Sequence, residues 1–252
     1  MSGTPRPDPA VLYPEVAAHG SLVAALRAAA GGGLDAVPLH ASDIEPLFHA
    51  GAASAVPYRE PLKIEAWRHE RRWHIRGEDS FQFGALLKGE TDDLAQLARA
   101  VRGWHDGESP EEIRRAAPFA RPTGRFEVPD RDPGRLTESE WRCLLWEAAG
   151  LEYPWAPAYL SLIEAAYAQP ALRALYPFTS HWALRFSTAT RPYMSVVGPS
   201  LVALGPGEFG LGSGVVACDL GEFASAGEAV AAALARLPPG LGPVVLGTTP
   251  TR

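Results

Sequence analysis

Three features of the chain predict an α+β fold. Residues 60–108 and 177–248 each carry the two-residue alternation of half-buried strands. Each of these stretches closes on a helix with acids at its start, the favourable end of the helix dipole. Between them, residues 109–176 repeat apolar side chains at helical spacing. The expected architecture is two antiparallel βββα-type units joined by a helical middle segment. Short Pro/Gly joints place both in one compact domain over residues 11–252, after a Pro-rich and disordered stretch at residues 1–10.

The elements follow in order. Leu22, Val23, Leu26 and Ala30 form one stripe of a helix over residues 21–30, stopped by Gly31-Gly32-Gly33. Residues 34–60 give mixed signals, with a short helix from Asp43 to His49. Leu62, Ile64 and Ala66, then Trp73 and Ile75, then Phe81, Phe83, Ala85 and Leu87 alternate with polar residues as three antiparallel strands. Thr91 then caps a helix whose stripe is Leu94, Leu97, Ala98, Val101 and Trp104. Ser109-Pro110-Glu111-Glu112 is a capping box with Pro at the first helical position, starting a helix through Ala117. Residues 118–136 read as an irregular loop, and Thr137-Glu138-Ser139-Glu140 as a second capping box ahead of a helix to Gly150. A further helix runs from Pro157 to Gln169, with a last turn over residues 171–176.

In the C-terminal third, strands are expected at Trp182–Ser187, Tyr193–Val197, Ser200–Leu204 and Val215–Asp219, and a helix opens at Ser225. Residues 84–91 and 216–223 line up as ends of two similar units. That likeness fits an internal duplication, and it equally fits two sheets converging on one hairpin-then-helix pattern.

Composition narrows the function. A chain of 252 residues with 46% hydrophobic and 21% charged side chains buries a sizeable core. A net charge of -6 lacks the basic stripe that phosphate neutralisation requires, so nucleic acid is not an expected partner. No run reaches the roughly 18 apolar residues of a membrane span, and the N-terminus lacks the apolar core of a signal peptide. Cys143 and Cys218 are far apart and without metal-like spacing, which fits a reduced, cytoplasmic setting.

The candidate chemistry centres on the stretch from Tyr176 to Ser187. Ser180 and His181 stand where helix gives way to strand, and Arg185 follows four residues on. The histidine suits general acid/base work and the serine a nucleophile, with Arg185 holding an anionic group. No third residue orients the histidine in sequence, and the same pair would serve equally to hydrogen-bond the backbone. Trp182, Tyr176, Trp141 and Trp155 are candidate substrate-binding residues, part of a crowd of amphipathic rings that also includes Trp146, Tyr153 and Tyr159. Those rings suit either a core or a groove that grips a peptide or aromatic ligand. His69, His74 and His105 have no metal-ligand spacing, so no metal site is expected. Gly207, Gly210, Gly212 and Gly214 precede a strand-like run and read as a turn, and Gly198 with Ser200 does not extend to a nucleophile elbow. No cofactor is expected.

Several short motifs carry a family likeness: Leu12-Tyr13-Pro14-Glu15 through Gly20, Gly89-Glu90-Thr91-Asp92-Asp93-Leu94, Arg102 through Gly107, Glu138-Ser139-Glu140-Trp141, Leu175 through Trp182, and Leu237-Pro238-Pro239-Gly240. With them the chain resembles an actinobacterial family of uncharacterised proteins labelled family 6193 natural product biosynthesis proteins. The resemblance implies a place in secondary metabolism, including the making of modified ribosomal peptides, and carries over no catalytic residue. The expected function is an accessory or tailoring protein that binds a peptide or small-molecule intermediate in an aromatic groove, with other biosynthetic enzymes as further partners. The alternatives are an enzyme that cyclises or eliminates on that intermediate, and a scaffold for pathway enzymes.

Overall fold

The computed structural model describes residues 7–214 and 218–248. Helix and strand make up 34% and 27% of the chain, and every ladder but one among the described residues is antiparallel, so the fold is α+β. The chain forms two compact units, residues 1–123 and 124–252. Their boundary falls inside the expected helical middle.

The first unit opens with α1 (Pro9–Leu12), α2 (Pro14–His19) and α3 (Leu22–Ala29). Asp8 caps α1, whose first two residues fall within the stretch expected to be disordered, residues 1–10; of that stretch, residues 1–6 lie outside the described residues. Ser21 caps α3 by accepting the Ala24 N–H, as its position before the apolar stripe predicts. Strands β1 (Leu39–Ala41), β2 (His49–Ala52), β3 (Leu62–Ala66), β4 (Trp73–Glu78), β5 (Ala85–Thr91) and β6 (Ala120–Pro122) form one six-stranded sheet in chain order. The helix expected from Asp43 is absent; residues 43–48 are bends and turns, and His49 opens β2. Phe81 and Phe83 are not strand residues either. The Asp79 carboxylate accepts the N–H groups of Phe81 and Gln82 at 3.0 and 2.7 Å and ties residues 79–82 into a turn, with Phe83 beyond it at φ 53°.

Helix α4 (Leu94–Asp106) is capped by Asp93, which accepts from Ala95 and Gln96, and Thr91 serves one step earlier by accepting the Asp93 N–H. Its Trp104 is fully buried, and Gly77 of β4 makes room for it: a Cβ there would come within 2.5 Å of the indole. Helix α5 (Pro110–Ala116) begins with the predicted capping box.

In the second unit, α6 (Pro133–Ala149) starts earlier than its sequence signals, with Asp132 as the cap. Thr137 therefore sits inside the helix, donating to the Pro133 carbonyl, and Glu140 is buried against Arg125 rather than closing a capping box. Helices α7 (Ala156–Ala168) and α8 (Pro170–Arg173) follow. Strands β7 (Tyr176–Ser180), β8 (Ala183–Ser187), β9 (Ala189–Pro192), β10 (Val196–Gly205), β11 (Glu208–Gly212) and β12 (Gly221–Phe223) precede α9 (Ala226–Leu234) and β13 (Val245–Gly247). The main sheet has order β12-β11-β10-β8-β7, and β9 pairs in parallel with β13.

Ser200–Leu204 and only the end of the expected strand Tyr193–Val197, from Val196, belong to one long strand β10, whose pairing to β8 shifts register between Val197 and Leu201. Gly210 and Gly212 belong to β11 rather than to a turn, and a Cβ at Gly210 would collide with the Cys218 thiol. Of the strand expected at Val215–Asp219, residues 215–217 lie outside the described residues. The internal duplication is not confirmed by these two sheets, which differ in strand number and order. Trp141, Tyr159, Leu184, Phe186 and Leu211 lie at the centre of the second unit's core.

Candidate functional site

The residues expected to form a site separate into two groups. Trp141 is fully buried, its indole N–H donates to the carbonyls of Arg173 and Leu175 at 3.1 and 3.2 Å, and its ring packs on Phe186. Tyr176 is 2% exposed, and burial, with the Glu140 charge behind it, holds its phenol above the usual range. Both are core residues, so a ligand at the surface does not reach them. Beside Tyr176, Arg125 grips Glu140 through two parallel hydrogen bonds of 2.8 and 2.9 Å. Burial works to lower the Arg125 pKa, but the Glu140 charge and hydrogen bonds outweigh it and hold the guanidinium above its ordinary value.

Trp155 and Trp182 come together at the surface. Strands β7 and β8 are joined by a two-residue turn, Ser180 pairing with Ala183. Both turn residues, His181 and Trp182, have positive φ, 54° and 64°. The right-handed twist of a hairpin favours such a turn, but Asn and Gly ordinarily fill it, because a side chain there costs on the order of 1–2 kcal/mol. Trp182 is accordingly a turn residue and not the first residue of the strand, while Leu184 and Phe186 keep the predicted inward face.

The turn seats the Trp182 indole against α7. Its centroid lies 5.0 Å from Trp155 and 5.5 Å from Tyr159, the latter edge-to-face, and Tyr153 stacks on Trp155 at 5.3 Å with the rings 3° from parallel. Trp182 and Tyr153 remain 41% and 56% exposed, whereas Tyr159 is 1% exposed. The Tyr159 hydroxyl is buried without a hydrogen-bond partner among the described residues. Burial, then the nearby Glu147 carboxylate, push its pKa up.

On the adjoining face of α7 lies a cleft of about 600 Å³. Pro154, Pro157 and Ser161 line one side, and Gly207, Phe209 and Gly227 are among the residues opposite. The volume falls in the range of small-molecule sites. The sequence reading did not reach this cleft, because its two sides are about 50 residues apart in the chain and only the packing of α7 on α9 and β10 brings them together.

Ser180 Oγ and His181 Nδ1 are 3.2 Å apart at the turn. His181 is exposed, and no acid orients it among the described contacts. Arg185 instead extends over the Phe178 ring, 5.6 Å from its centroid, on the neighbouring strand. The three candidate catalytic residues thus share one hairpin without forming a relay. Cys218 offers no activated nucleophile, since burial and then Glu222 and Asp219 push its thiol up. Among the described residues no group of three or more His, Cys, Asp or Glu is placed to hold a metal ion, and no helix is long and apolar enough to cross a membrane.

Fold and site together define an α+β protein whose second unit presents an aromatic surface beside an apolar cleft. Residues 135–248, most of that unit, match the model of a family described as Family of unknown function (DUF6193). The motifs at Glu138–Trp141, Leu175–Trp182 and Leu237–Gly240 fall within the match, and those before residue 110 fall outside it. No curated protein and no solved structure matches the chain.

Proposed function

We propose that this is a binding protein, an accessory or tailoring factor in the cytoplasm of an actinobacterium, which holds a peptide or small-molecule intermediate of natural-product biosynthesis along the N-terminal turns of α7. The observation that supports this reading most is the His181-Trp182 turn. A hairpin that keeps two large side chains in a conformation suited to glycine forgoes stability, and here it sets an exposed indole onto Trp155 and Tyr159. Flat, rigid rings at a partly exposed patch supply contact area at small entropic cost. The adjoining cleft supplies concave apolar surface of ligand size.

A catalytic reading has one observation in its favour, the Ser180–His181 contact, and no acid orients that histidine among the described contacts. The test is incubation of the purified protein with the precursor or intermediate of its own biosynthetic cluster, following mass and indole fluorescence together. A fluorescence change that saturates, disappears in Trp182→Ala and leaves the ligand mass unaltered is the expected result. A mass change produced by this protein alone, lost in His181→Ala, would replace the binding role with a catalytic one.

A further inference from the structure

Apart from Trp182, the aromatic patch and the cleft beside it are built from segments without a single cation. No Lys, Arg or His occurs between Arg142 and Arg173, nor between Arg191 and Arg236. The same two stretches carry Glu147, Glu152 and Glu164, and Glu208, Asp219, Glu222 and Glu228. These acids do not lie far from the surface in question. Glu152 precedes Tyr153, Glu208 follows Gly207 of the cleft, and Glu228 follows Gly227, and all three are exposed. Glu147 is close enough to act on the buried Tyr159 phenol beneath the patch.

The cations nearest in the chain belong to the hairpin. Arg185 is committed to the Phe178 ring, and His181 meets Ser180. Exposed indole and phenol faces attract cations through the negative face of the ring, and arginine adds flat stacking to that attraction. An acidic surround raises the local concentration of a positive ligand. The positive helix ends of α7 and α9 also face the cleft, but Glu228 in the first turn of α9 offsets one of them, and the aromatic patch lies on the other face of α7.

We infer that the patch of Tyr153, Trp155 and Trp182 receives an arginine side chain of a basic peptide, with Glu147 and Glu152 supplying the surrounding negative charge. This rests on the binding reading above and names its ligand class. It can be tested on the full chain with four short peptides, acetyl-Gly-Ser-Xaa-Ser-Gly-amide, in which Xaa is arginine, citrulline, leucine or glutamate. Citrulline keeps the shape of arginine and removes its charge. Binding is read from the indole N–H signals of the protein by NMR.

The expected result is that the arginine peptide binds at least about fivefold more tightly than the citrulline peptide. Its affinity should fall with added salt and in Glu147→Gln/Glu152→Gln, a pair of exposed changes that leaves the fold intact. Equal binding of the arginine, citrulline and leucine peptides, still lost in Trp182→Ala, would overturn the charge inference and leave the binding site standing. Preference for glutamate would overturn it as well. No shift of the Trp155 or Trp182 signals with any peptide would remove the inference and the binding site together.

Discussion

At the scale of single residues, Tyr159 and His181 each give up stability. The Tyr159 hydroxyl has been taken out of water without gaining a partner among the described residues. Tyr159→Phe should therefore raise stability, by about 1 kcal/mol, seen as a higher urea midpoint with an unchanged slope. A lowered midpoint would mean that the hydroxyl is satisfied after all. The same variant should alter the alkaline limb. Unfolded, the phenols of Tyr159 and Tyr176 ionise near pH 10. Folded, burial raises both, so above that pH the unfolded chain has released protons that the folded chain retains, and stability falls as pH rises. Removing one of the two phenols should make that fall shallower. His181→Asn eases a positive φ at an exposed position and should add about 0.5 kcal/mol, measured in the same titration. The ring-bearing residues were legible as a group, yet Trp141 and Trp182 look alike in sequence. What separates them is that one indole N–H finds two carbonyls inside the core, while the other ring is held outward by its turn.

At the scale of elements, the Arg125–Glu140 pair ties the segment before α6 to the helix itself. Glu140→Gln would leave a buried guanidinium without its counter-charge and should cost about 3–5 kcal/mol, whereas Arg125→Met with Glu140→Leu should cost far less. Thermal melts of the single and double variants check this; equal losses would show that the pair acts by packing alone. Elements with their own local signal were legible: the stripe of α4, the capping box of α5, and the alternation of β3 and β4. Those that depend on distant partners were not. Strands β1 and β2 are short, β1 pairing with β2 and β2 with β3, and the residues of 39–52 do not announce this pairing. The Thr137–Glu140 capping signature was a false start for the converse reason, because a tertiary ion pair claimed the glutamate.

At the scale of the whole molecule, each unit has a core of its own. The α+β class was readable because the two-residue and 3.6-residue periods alternate along the chain. The cleft was not, because concavity depends on how α7 packs against α9 and β10. Charge lies between these cases, since the cation-free segments are visible in the sequence, but which surface they build is not. One bond in the first unit bears on the order of events in folding. The Tyr13 hydroxyl donates to the Trp67 carbonyl at 2.6 Å and accepts the Arg72 N–H at 3.1 Å, so it clasps the loop between β3 and β4 across 59 residues. The hairpin it holds closes locally and fast, whereas docking the N-terminal helices closes a long loop and belongs on the far side of the rate-limiting barrier. Tyr13→Phe should thus leave the refolding limb of a chevron in place and steepen the loss through the unfolding rate alone. Tyr13 then acts as a latch, setting how long the first unit stays folded without changing how quickly it gets there.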